Sequence, residues 1–254
     1  MSVEVGTLPL ATTRIAFTAF TGFATLAAVA TAATAQDAKP NTSFTGDVGY
    51  VSASGNTNLT TLSIGEKVVH TEGRWTLSQL AAYVYGETNS KESANQLRFA
   101  GRADFAFRPR LGVFAGVAYE RNTFAGFNSR TDEIAGLLWK AIVAPRDSLH
   151  LEAGGAFTQE ADVDGTSQSY PSARIAANYK HVFSKTAYFQ QLAEYVPNLK
   201  TSGAYRVNSE SALVAPVSAH FGVKVSYAVR YNSRPPAKFG TTDRVLTTGV
   251  QLSF

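Results

Sequence analysis

Residues 95–108 read NQLRFAGRADFAFR. Every second residue gives Leu97, Phe99, Gly101, Ala103, Phe105 and Phe107, and the residues between them are Gln96, Arg98, Ala100, Arg102, Asp104 and Ala106. Successive side chains of a strand point to opposite faces, so this segment forms a strand with one apolar and one charged face. A helical period would mix the two sets.

The same alternation recurs along the chain. Leu111, Val113, Val117 and Tyr119 share a face, as do Phe221, Val223, Val225, Tyr227, Val229 and Tyr231, with Lys224 and Arg230 opposite. Twelve strands result, at 43–53, 58–70, 75–87, 94–108, 111–122, 130–143, 149–160, 171–183, 187–198, 207–217, 221–232 and 243–254. Faces are mixed in the second, sixth, ninth and tenth, and Pro197 and Pro216 interrupt two of these. Pro216 belongs near a strand end, because proline cannot donate to a ladder. Strands of 11 to 15 residues exceed the ~5–6 usual in globular sheets.

The connections alternate in length. TEGR, RPR, APRDS, SKT and SAH are short, whereas ETNSKES, RNTFAGFNSR, EADVDGTSQSYP, NLKTSGAYR and NSRPPAKFGTTD are longer. Short turns at one end and long loops at the other are the pattern of an outer-membrane barrel. Phe105, Phe107, Tyr179, Phe183, Phe254, Trp75 and Phe221 then fall at the short-turn end of the apolar face. Tyr83, Tyr85, Tyr119, Phe157, Tyr227 and Tyr231 fall at the other end. Two aromatic bands are expected where rings sit at lipid headgroups.

The first 35 residues differ from the rest. Arg14 precedes an uncharged run from Ile15 to Ala35 that closes on Ala33-Thr34-Ala35, the small-x-small pattern of a cleaved signal peptide. The expected organisation is a signal peptide at 1–35, a flexible mature N-terminus at 36–42 and a barrel at 43–254. After Ala35 no apolar run reaches the 18 or so residues that a spanning helix needs, whereas a barrel strand needs only ~10 and hides its hydrophobicity in alternation. The 254 residues contain no cysteine, which excludes disulfides and thiolate metal sites. A formal net charge of +4, spread along the chain, lacks the clustered face of a nucleic-acid binder.

An open sheet edge in hydrocarbon is prohibitively costly, so the last strand is expected to pair with the first and close an all-β, antiparallel, up-and-down transmembrane barrel. Val250, Leu252 and Phe254 place apolar residues at alternate positions up to the terminal phenylalanine. This resembles the C-terminal signature that assembly machinery recognises in bacterial outer-membrane proteins. Three motifs carry a wider resemblance: GYVSASGNTN at 49–58, YERNTFAGFNSR at 119–130 and YNSRPPAKFGTTDRVLTTGVQLSF at 231–254. Together they resemble the salt-induced outer membrane proteins of Gram-negative bacteria, domain of unknown function 481. The resemblance implies a small outer-membrane barrel and no established activity. Outer-membrane lipid, lipopolysaccharide and the barrel assembly machinery are the partners expected, without nucleic acid.

The charged face should line the lumen: Asp47, Arg98, Arg102, Asp104, Glu120, Asp132, Glu152, Arg174, Lys180, Lys224 and Arg230. Two readings stay open. The charges form a constriction that selects small ions or solutes, or they pair with one another and fill a closed lumen, since buried charges must be paired. A third reading assigns the function to the loops, where Arg121, Arg130, Arg234, Lys238 and Arg244 could meet anionic headgroups. An enzyme is not expected. Only His150 faces inward, near Glu152, and no G-x-S-x-G, phosphate loop or metal-ligand spacing is present. VDGT at 163–166 lacks the rest of a calcium loop, and neither cofactor nor metal is expected.

Overall fold

The computed structural model describes residues 41–53, 59–184, 187–218 and 220–253. The expected signal peptide, most of the expected mature N-terminus and Phe254 lie outside the described residues. Twelve strands follow in order: β1 (Asn41–Ala53), β2 (Leu59–Glu72), β3 (Trp75–Thr88), β4 (Lys91–Arg108), β5 (Leu111–Asn122), β6 (Phe127–Val143), β7 (Asp147–Asp162), β8 (Ser167–Val182), β9 (Tyr188–Pro197), β10 (Tyr205–Pro216), β11 (Phe221–Asn232) and β12 (Thr242–Ser253). Each pairs antiparallel with its sequence neighbours, and β12 pairs with β1, so the sheet closes on itself. A 3-10 turn, Thr123–Ala125, follows β5. No helix among the described residues is long and apolar enough to cross a membrane.

The packing is inverted relative to a water-soluble protein. Leu137, Ile175 and Leu246 are 60%, 59% and 62% exposed, while Arg130, Glu160 and Arg174 are 9%, 5% and 8% exposed. Water would reverse these values, because charged residues are almost never fully buried unless paired and large apolar patches mark an interface. A wall that is apolar outside and charged inside is solvated by hydrocarbon. The 12 residues of β11, at about 3.3 Å each and a tilt of roughly 40°, span about 30 Å, close to the bilayer core. Trp75 and Trp139, each 50% exposed, and Phe183, 54% exposed, mark the short-turn end of this wall. Trp75 packs on Phe105 with ring centroids 4.9 Å apart.

The strands outrun the sequence reading at the long-loop end. ETNSKES is not a loop: Asn89 and Ser90 form a two-residue turn with φ of 51° and 59°, the left-handed pair of a type I′ hairpin. Similarly, β7 runs to Asp162 and β8 starts at Ser167. Past the membrane both faces of a hairpin meet water, so polar strand residues there lose the period of two and read as loop. His70 stands inside β2 and bonds Thr42 of β1 at 2.8 Å. Pro197 and Pro216 each close a strand.

Candidate functional site

The inward face of the wall builds three tiers of charge. Toward the short turns, Lys224 Nζ of β11 meets Asp47 of β1 at 2.7 Å, and Gln251 of β12 donates to the same carboxylate at 3.0 Å. Tyr188 of β9 donates to Gln251 at 2.9 Å, and the Lys180 ammonium lies 4.0 Å over the Tyr188 ring. At mid-height, Arg102 binds Asp104 at 2.6 Å and reaches Glu152 on β7 at 2.8 Å. Arg174 of β8 bridges Glu152 and Glu194 of β9, each at 2.6 Å. The guanidinium of Arg102 lies 4.1 Å over the ring of Phe114, an inward-facing aromatic that is 3% exposed.

Toward the long loops two of the pairs cross the lumen. Arg230 of β11 binds Glu120 of β5 at 2.5 Å. These strands are six apart in a ring of twelve, so the pair joins opposite walls. Arg206 of β10 binds Asp132 of β6 at 2.8 Å, and Thr158 also donates to Asp132. Arg130 binds Glu160 and lies 3.8 Å over Phe127. Arg130 is therefore a lumen residue and not the headgroup-facing loop residue that the sequence suggested. Strand β6 starts at Phe127, which carries Arg130 inside the wall. Arg121, Lys238 and Arg244 are exposed, and Arg234 donates to the Ser202 carbonyl at 2.9 Å.

Of the residues expected in the lumen, Asp47, Arg102, Asp104, Glu120, Asp132, Glu152, Arg174, Lys224 and Arg230 meet counter-charges, and Lys180 meets a ring. Among the described residues Arg98 has no ion pair and no side-chain hydrogen bond. The sequence reading missed Lys67 and Glu194, which lie on strands with mixed faces, and Arg206, which lies on the outer extension of β10. The faces of β9 and β10 mix because Gln191, which bonds Ser209 and Ser211, turns outward. His150 lies near a carboxylate that is already engaged: Glu152 is held by Arg102 and Arg174. In VDGT, Asp164 accepts from the Thr166 backbone at 2.8 Å and closes a turn.

A cavity of about 280 Å³ lies within the lumen, lined at mid-height by Arg98, Arg102 and Ala118 and toward the loops by Pro235, Gly240 and Thr241. The last three belong to the β11–β12 connection, which acts as a strap. Ser233 N–H donates to the Tyr205 carbonyl at 3.0 Å, anchoring the strap on the β9–β10 side. Farther along, Pro236 and Phe239 pack against Gly126, where an added Cβ would stand 2.8 Å from each. Gly126 also has a φ of 95°, which favours glycine. It follows β5, so the strap spans from one wall to the opposite one. Two of the sequence motifs, FAGF and RPPAKF, thus meet over the cavity.

Residues 46–254 match the family described as "Protein of unknown function, DUF481". The chain is 27% identical over 193 residues to the uncharacterized protein YdiY of Escherichia coli K12, covering 75% of this chain and 74% of that protein. Among solved structures it is similar to the NanC porin, at 9% identity and a TM-score of 0.48, over 83% of this chain and 97% of that one. It is also similar to the translocator domain of the autotransporter NalP from Neisseria meningitidis, at 12% identity and a TM-score of 0.48, over 85% and 88% of the two chains.

Proposed function

Because the chain belongs to the DUF481 family, matching it over residues 46–254, we propose that it resides in the outer membrane as a narrow channel for small ions or solutes. The observation that carries this reading is the cavity of about 280 Å³ held open inside a charged, water-compatible lumen. A barrel evolved only to be filled would carry side chains there. The struts at Arg230–Glu120 and Arg206–Asp132 limit the bore, and the strap of residues 233–241 gates the loop end. Export depends on the segment 1–35, and Val250, Leu252 and Phe254 present the terminal strand to the assembly machinery. Arg121, Lys238 and Arg244 face the lipopolysaccharide headgroups. Catalysis is not part of the proposal.

The pairing of so many lumen charges favours one other reading, a non-conducting barrel that acts through its surface. Planar-bilayer recordings separate the two. The channel reading expects small discrete steps from the intact protein and larger ones after Pro235–Phe239 are replaced by a short Gly-Ser turn. A barrel that shows a heat-modifiable gel shift yet stays silent in both forms would overturn it in favour of the surface role.

A further inference from the structure

Two of the cations that face the cavity stand outside the ion pairs of the lumen. Lys67 of β2 and Arg98 of β4 line it, and among the described residues neither makes an ion pair or a side-chain hydrogen bond. Six other lumen cations, Arg102, Arg130, Arg174, Arg206, Lys224 and Arg230, each bind a carboxylate. The cavity lining is also unbalanced. Seven Lys or Arg side chains line it against four Asp or Glu, because Arg102 and Arg130 take partners that lie behind the cavity surface, Asp104 and Glu160. Of the four carboxylates only Asp243 lacks an ion pair among the described residues. On β3, between them, Leu80 stands opposite Lys67 and Ala82 opposite Arg98. On the other side of Arg98, Glu120 of β5 gives its carboxylate to Gln96 and Arg230.

We propose that Lys67 and Arg98 form a binding station inside the lumen for the anionic group of a small solute, a carboxylate or a phosphate. Arginine offers a planar fork that matches either oxyanion with two parallel hydrogen bonds, and lysine adds a point charge. A cavity of about 280 Å³ has room for about nine waters at ~30 Å³ each, so a small organic acid or phosphate ester enters with part of its hydration. The excess of positive charge draws anions to the cavity, as rings of Arg and Lys do in anion pores. Neighbouring cations whose charges are already satisfied leave these two to the solute.

Calorimetry on the full chain purified in detergent tests this, and it reads binding whether or not the barrel conducts. Inorganic phosphate and acetate are titrated separately. Saturable binding of either supports the station, and the tighter of the two assigns its chemistry. The double variant K67Q/R98Q, its folding checked by the heat-modifiable gel shift, should weaken that binding by at least ~10-fold, the worth of one charge-assisted contact. Should the double variant fail to fold, the single variants are read instead, each with a several-fold weakening expected. Lys140→Gln, on a lysine outside the cavity lining, should leave binding unchanged. The proposal is overturned if neither anion binds saturably, if K67Q and R98Q bind as the wild type does, or if K140Q weakens binding equally.

Discussion

Truncating Glu120 to alanine tests whether the cross-lumen pairs act as struts. Glu120 accepts from Arg230 at 2.5 Å and from Gln96 at 2.6 Å. The substitution removes the one carboxylate that ion-pairs with the Arg230 guanidinium among the described residues. Breaking a fully buried pair in this way costs about 3–5 kcal/mol. The Arg230 and Glu120 side chains are 26% and 17% exposed, so lumen water reduces the expected cost to about 2 kcal/mol. With a urea dependence of about 2 kcal/mol per molar, the unfolding midpoint in lipid vesicles should fall by about 1 M. Fluorescence of Trp75 and Trp139, both on the outer wall, reports unfolding alongside the gel shift. Replacing both partners by methionine should return stability to within about 1 kcal/mol of the wild type, since no charge is then stranded. The reasoning fails if E120A unfolds at the wild-type midpoint, or if the double variant is less stable than E120A.

Leu137→Arg places a charge on the outer wall at mid-height, where Leu137 is 60% exposed, and should lower folding stability in vesicles by about 2–4 kcal/mol; an unchanged urea midpoint would place this face in water. Asp162 lies past Phe157 of the outer aromatic band, at the end of β7, where burial, then the Glu160 carboxylate, push its pKa up from 3.8 to about 6. A carboxyl whose folded pKa is raised favours the folded state fully below pH ~4, and that contribution is lost as pH rises through about 6. Urea midpoints of the wild type and Asp162→Asn measured between pH 4 and 7 should therefore diverge, the wild type falling relative to the variant; parallel curves would refute the shift.

Fold and lumen were legible to different degrees. Strands such as β4 and β11 span the bilayer with one face in hydrocarbon and one in water, so each residue's polarity reports its face. The charges at Arg98, Arg102, Asp104, Lys224 and Arg230 could be placed on that basis. Where a strand leaves the bilayer the constraint ends, and the extensions of β3, β4, β7 and β8 read as loops. Where outward polar residues bond one another, as Gln191 does with Ser209, the alternation blurs and Glu194 is hidden; Arg206 fell in NLKTSGAYR, which read as a loop. Which charges pair could not be read at all. Glu120 and Arg230 are 110 residues apart and meet only because the sheet closes. Arg98 and Arg102, four residues apart on one strand, look equivalent in sequence. The counter-charges that engage Arg102 come in part from β7, a strand that β4 does not pair with, and Glu120, opposite Arg98, turns across the lumen to Arg230.

The closing seam differs from the other eleven. Among the described residues β1 pairs with β12 at four positions, Thr45–Ser253 to Val48–Val250, whereas its ladder with β2 runs over thirteen, from Asn41–Thr71 to Ala53–Leu59. Each backbone group unpaired in hydrocarbon costs several kcal/mol, so a ring of strands parts where the fewest bonds are surrendered. Heat or lateral tension on the bilayer is therefore directed to one line along the cylinder. The wall behaves as a hoop with a clasp, and its mechanical strength is that of the clasp.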